Sequence, residues 1–173
     1  MRRTWQLGWT ALALAAVAMA APGVAHAQPS PGIYKIVQDR SSLCLEMSPR
    51  SDRPGSALIQ AACEDTEHQL FQVAVAPSGG YYLIAHYAAM CLQPQGDSSE
   101  PRARIVQQRC RAGTGQAFQL ESQSGGRYTI ASLKSGLCFN VPGRSLSSGV
   151  ALDQFPCDGG DNQWFVFQRA DVP

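Results

Sequence analysis

LCFNVPGRSLSSGVALDQFPCDGGDNQWF, residues 137–165, places Cys138 and Cys157 nineteen residues apart and ends in Gln163-Trp164-Phe165. The same frame recurs twice upstream. Cys44 and Cys63, then Cys91 and Cys110, keep that spacing, and each pair lies 47 residues from the next. Other columns align without a gap. Tyr34, Tyr81 and Tyr128 match, as do Gln60, Gln107 and Gln154, then Gln69, Gln116 and Gln163, then Phe71, Phe118 and Phe165. Apolar columns follow the same period: Ile36, Leu83 and Ile130; Leu45, Leu92 and Phe139; Leu58, Ile105 and Leu152. The chain therefore carries three copies of one unit, at about residues 31–77, 78–124 and 125–171. One such unit cannot bury its apolar face alone, whereas three can share a core.

Within a unit the apolar residues come in short runs. Tyr34-Lys35-Ile36-Val37, Leu43-Cys44-Leu45, Ala57-Leu58-Ile59 and Phe71-Gln72-Val73-Ala74-Val75 are separated by Pro, Gly, Ser and Asp. Alternation bounded by turn residues predicts strands, and no helical period is seen after the first 27 residues. The fold class is all-β. Propellers share a period near this one but use four to eight blades. Three units predict a closed three-fold arrangement, with the strand near Ile33–Val37 beside the one near Phe165–Gln168.

Residues 1–27 read as a secretory signal peptide. Arg2 and Arg3 precede an apolar run from about Thr10 to Ala21, and Ala25-His26-Ala27 is a small-x-small cleavage site. The run is short for a membrane span, and no second one follows. Residues 28–173 then form a single domain, secreted or periplasmic. They hold 12 Lys and Arg against 13 Asp and Glu, a net charge of −1. That gives no basic field for nucleic acid.

Six Cys on an exported chain predict disulfides. Of the fifteen pairings, the repeat selects Cys44–Cys63, Cys91–Cys110 and Cys138–Cys157. Each would contribute roughly 3 kcal/mol by the loop-entropy argument. No C-x-x-C occurs, and neither His68 nor His86 shares the register of a Cys, so no metal and no cofactor are expected.

The unit reads apolar-Cys-apolar, a Ser/Gly-rich loop, apolar-x-Gln-x-x-Cys, then Gln-x-Phe. It resembles the ricin B-type lectin family, whose repeat ends in Gln-x-Trp, and the resemblance covers nearly all of residues 31–169. The endings Gln69-Leu70-Phe71, Gln116-Ala117-Phe118 and Gln163-Trp164-Phe165 replace the Trp by Phe, which keeps an aromatic core layer and drops the indole donor. The resemblance implies a β-trefoil of about twelve strands, six in a barrel and six in a hairpin cap. It also implies one shallow sugar site per unit. A carboxylate lies two residues after the first Cys, a stacking ring two before the second, a polar residue four before it, and an Asn before the final Gln.

Carried onto this chain, those roles fall in the third unit on Asn140 (in place of the carboxylate), Asp153, Phe155, Asn162 and Gln163. A weaker second site in the first unit would use Glu46, His68 and Gln69, but Ala61 supplies no ring there. Tyr82 and Tyr87 could bring a ring, although their register does not favour it. In the second unit Gln93, Gln108 and Gly115 replace all three features, and that unit is expected to be mute. The three Gln of the Gln-x-Phe motif, one of them in the mute unit, point to backbone bonding. The three Phe read as core.

No H-E-x-x-H, G-x-S-x-G or phosphate-cradling loop is present, and the Cys are committed to bridges, so no enzyme is expected. The leading expectation is a carbohydrate-binding module with weak, calcium-independent binding of galactose-type glycans. The alternative is a protein-interaction or toxin-accessory subunit with degraded sugar sites. A third is an inhibitor of secreted hydrolases acting through the loops Arg50–Gly55 or Gly96–Ala103.

Overall fold

Alternating apolar residues make thirteen strands in the computed structural model, which describes residues 28–171. The first unit supplies β1 (Gly32–Gln38), β2 (Cys44–Ser48), β3 (Ala57–Ala61) and β4 (Leu70–Val75). The second supplies β5 (Tyr81–Ala85), β6 (Met90–Pro94), β7 (Ile105–Gln108) and β8 (Ala117–Gln123). The third supplies β9 (Arg127–Ser132), β10 (Cys138–Asn140), β11 (Val150–Ala151), β12 (Asp153–Phe155) and β13 (Phe165–Arg169). The proposed signal segment lies outside the described residues.

The outer two strands of each unit close a barrel. β1 pairs with β4, β4 with β5, β5 with β8, β8 with β9, β9 with β13, and β13 with β1 again. The first strand thus lies beside the last, from Tyr34 opposite Arg169 to Gln38 opposite Phe165, which leaves no open edge there. The inner strands form three cap hairpins: β2 with β3, β6 with β7, and β10 with β12. This is a β-trefoil. The count exceeds twelve because the third cap strand divides at Leu152. On one side β11 pairs with β3, on the other β12 pairs with β10, and between them Leu152 N–H donates to Leu58 O.

The repeated apolar columns fill the centre. Phe71, Phe118 and Phe165 are fully buried, as are the Ile36, Leu45 and Leu58 columns in all three units. The column of Val73 and Leu120 departs at Phe167. That ring is only half-buried and packs edge-on against Tyr34 and Tyr128, at 5.9 and 5.5 Å. The three disulfides pair as the repeat requires, with Cα–Cα distances of 4.9, 4.9 and 5.1 Å.

A second glutamine column ties the units together. Gln60 Nε2 donates to Ser145 O and Ser147 O, Gln107 Nε2 to Ser51 O and Arg53 O, and Gln154 Nε2 to Ser98 O and Glu100 O. Each buried amide therefore satisfies two carbonyls of a loop in another unit. The loops around residues 50–55 and 96–103 are pinned to the body this way.

Candidate functional site

The third-unit residues meet because β10 and β12 are paired in register. Cys138 lies opposite Phe155 and Asn140 opposite Asp153. Side chains alternate along a strand, so these four share one face of the hairpin. Asn140 Nδ2 donates to Asp153 Oδ1 at 2.7 Å. The short helical turn Asp161–Gln163 then brings Asn162 alongside, and its Nδ2 donates to Asn140 Oδ1 at 2.6 Å. Asn140, Asp153 and Asn162 are 5%, 5% and 6% exposed. Burial pushes the Asp153 carboxyl above its usual range, against the pull of the Asn140 hydrogen bond and the nearby Arg102 charge.

Above this network lies a cavity of about 120 Å³, lined by Arg102, Asn140, Gly143, Arg144, Phe155, Asp158 and Asn162. It is small beside the roughly 300–1,000 Å³ of most small-molecule pockets. Phe155 forms a half-buried wall, and the Arg102 guanidinium lies 5.0 Å from its ring centre. Asn162 Oδ1 is buried and has no donor. Gly160 makes room for the polar rim: a Cβ there would stand 2.6 Å from Asn162 Oδ1, 2.8 Å from Arg144 Nη2 and 2.9 Å from Asp158 Oδ1.

Gln163 serves the framework. Its Oε1 accepts from Asp158 N–H, and its Nε2 donates to Pro156 O and, at 3.5 Å, to Asn140 Oδ1. Gln69 and Gln116 repeat the pattern. They accept from the amides of Glu64 and Arg111, and donate to Ala62 O and Arg109 O and to the side chains of Glu46 and Gln93. The motif glutamine thus fixes the residue two places after the first Cys in all three units.

The first-unit counterpart is filled by its own side chains. Glu46 accepts a two-pronged contact from Arg50, at 3.1 and 3.0 Å, besides the Gln69 bond at 2.8 Å. Arg50 also reaches Glu64 at 2.6 Å. Burial raises the Glu46 carboxyl, but the hydrogen bonds from Arg50 and Gln69 outweigh it and hold the group below its ordinary value. His68 packs on Tyr87, with ring centres 4.3 Å apart. Tyr87 therefore does reach the first unit, by leaning across from a turn of the second. In the second unit the Asp97 carboxylate occupies the space over Gly115 and pairs with Lys134 at 2.9 Å and Arg111 at 3.3 Å.

Arg102, Arg144 and Asp158 were not among the sequence candidates. Arg102 and Asp158 sit on loops and Arg144 ends the short helical turn Pro142–Arg144, and Arg102 comes from a different unit. The available signal was positional, since Arg102 aligns with Gly55 and Gly149, and Arg144 with Arg50. Among the described residues, no three His, Cys, Asp or Glu side chains converge as a metal site, and no helix is long and apolar enough to cross a membrane.

A sequence search among curated proteins finds no match. Comparison of structures does. The designed three-fold symmetric protein ThreeFoil superposes with TM-score 0.77 at 26% identity, over 80% of this chain and 99% of that one. The Macrolepiota procera ricin B-like lectin, solved with lactose, gives 0.71 at 14% identity over 83% of this chain and 100% of that chain. The Haemophilus ducreyi cytolethal distending toxin gives 0.68 at 12% identity over 90% of each chain. These last two likenesses are of fold. A family model, the ricin-type beta-trefoil lectin domain, matches residues 32–165. Together with the three-fold repeat and the barrel it builds, that match shows that the chain belongs to the family of ricin-type β-trefoil lectin domains.

Proposed function

We propose that the protein is an exported, non-catalytic carbohydrate-binding domain that holds a glycan at its third unit. Residues 28–173 are its single trefoil, and the three disulfides fit an oxidising destination outside the cytoplasm. One observation carries the reading. The equivalent position is filled by Arg50 in the first unit and by Asp97 in the second, whereas in the third it opens as a cavity over Asn140 and Asn162 with Phe155 as its wall. Asn140, Asp153 and Asn162 supply buried polar atoms whose directions are fixed by one another. Phe155, with the Arg102 guanidinium over its ring, supplies the apolar wall against which the sugar packs. Gln163 holds Asn140 in place. Galactose-type sugars are the starting class, as the sequence resemblance implies and as the lactose in the Macrolepiota lectin illustrates. A cavity this shallow buries little surface, so affinity should be weak. The test is a glycan array with the oxidised protein beside Phe155→Ala. Binding lost in the variant supports the reading, and equal binding by both refutes it.

A second reading is a protein-interaction or toxin-accessory subunit. The filled first and second units favour it, and a cytolethal distending toxin shares the fold. Absence of glycan binding by the folded protein, with a stoichiometric protein partner on co-purification, would establish it instead.

A further inference from the structure

Two arginines at the third-unit cavity break the repeat in complementary ways. Arg144 aligns with Arg50. In the first unit Arg50 has a carboxylate to grip, because Glu46 stands two residues after the first Cys. In the third unit that residue is the neutral Asn140, and Arg144 is left with Asp161 at 3.7 Å, beyond hydrogen-bond reach. Arg102 aligns with Gly55 and Gly149. All three have positive φ, at 70°, 90° and 84°. That conformation suits glycine and strains an arginine. The arginine is nonetheless held there, with Arg102 N–H donating to Gln154 O and Gln154 Nε2 pinning the same loop at Ser98 O and Glu100 O. Its side chain is thereby delivered over Phe155. Neither guanidinium donates a side-chain hydrogen bond among the described residues.

We propose that the third-unit site takes an acidic saccharide of the uronic-acid class, its carboxylate bound between Arg102 and Arg144. This rests on the glycan reading of that unit and names the kind of glycan. The Glu46–Arg50 pair of the first unit is the internal template. In the third unit the protein lacks the carboxylate, and the ligand supplies it to the same arginine. Phe155 holds the Arg102 plane by a cation–π contact, which presents the planar fork that pairs with a carboxylate. Asn162 also lines the cavity, and its Oδ1 is buried without a donor. Asp158 also lines the cavity, but its Oδ1 is taken by Gly160 N–H at 2.8 Å. Among the cavity-lining side chains two cations face this one anion, while Asp161 stands behind Arg144 and Asp153 lies near Arg102 without a hydrogen bond to either guanidinium.

The test measures affinity of the oxidised protein for methyl galactoside, methyl galacturonide and the galactoside 6-sulfate by titration calorimetry, in wild type, Arg102→Gln and Arg144→Gln. Thermal melts confirm that each variant is folded. The uronide should bind about tenfold or more tightly than the neutral sugar, the scale of a charge-assisted hydrogen bond. That ratio should fall toward one in both variants and shrink with added salt. Equal affinity for uronide and galactoside, or a uronide preference unchanged in both variants, overturns the proposal while leaving the glycan reading intact. Preference for the sulfate over the uronide overturns the carboxylate assignment. If no sugar binds, the glycan reading itself fails, and this proposal with it.

Discussion

Asn140 and Asp153 face each other across β10 and β12, and the 2.7 Å hydrogen bond from Asn140 Nδ2 to Asp153 Oδ1 joins them. The carboxylate that the lectin repeat places on one strand has its nearest equivalent here on the facing strand. Asn140→Asp should therefore not improve the protein. It would set two carboxylates opposite each other and remove the donor between them, costing about 1–3 kcal/mol at neutral pH. The double variant Asn140→Asp with Asp153→Asn should recover most of that loss. Urea unfolding of the wild type and the two variants checks it; equal stability of the single and double variants would contradict the pairing.

The inter-unit glutamines contain one imperfect copy. Ser41 Oγ donates to Gln60 Oε1 at 3.0 Å, and Ser135 Oγ to Gln154 Oε1 at 2.9 Å. The corresponding residue in the second unit is Ala88, and Gln107 Oε1 is buried without a donor. Ala88→Ser should stabilise the fold by about 0.5–1.5 kcal/mol, and Ser41→Ala should cost a similar amount. Denaturant midpoints with unchanged m-values would register both shifts.

Glu46 and Asp153 should respond to acid in opposite senses. Arg50 and Gln69 hold Glu46 below its ordinary 4.5, so its stabilising contribution is complete above that value and is lost as pH falls through the lower folded one. Glu46→Gln should cost stability at neutral pH, and progressively less as the pH falls below the ordinary carboxyl value. Burial raises Asp153 above its ordinary 3.8, so the native state favours its proton and stability declines as pH rises through that window. Asp153→Asn should gain on the wild type over the same rise. Parallel pH–stability curves for wild type and either variant would contradict these assignments.

Gly160 has φ −68°, a conformation any residue adopts, so alanine there strains no backbone. Its Cβ would nonetheless intrude among Asn162, Arg144 and Asp158. Gly160→Ala should lower glycan affinity about tenfold or more with a small change in melting temperature. Unchanged affinity would place the ligand elsewhere.

The architecture was legible because its signals are periodic and local. Cysteine spacing named the bridges, and the apolar columns named the core, from Ile36 to Phe165. The site was legible only in part. Asn140, Asp153 and Phe155 could be placed from their distance to Cys138 and Cys157, since strand alternation carries them to one face, and Asn162 only from the resemblance to the lectin repeat, as the residue before Gln163. Their hydrogen bonds to one another depend on how two strands register, and no single strand contains that information. Arg102 arrives from another unit, through a loop set by Gln154. Tyr87 reaches His68 across a unit boundary, where counting within a repeat says nothing. The filled first-unit site turned on Arg50, an exposed loop residue whose partners are fixed only when the hairpin closes.

The most direct test of the central claim is the number of glycan sites per chain, from titration calorimetry of the oxidised protein with the best ligand of the array. One site per chain is expected, abolished by Phe155→Ala and retained in His68→Ala. Two or more sites, or a single site that survives Phe155→Ala, would contradict the assignment to the third unit.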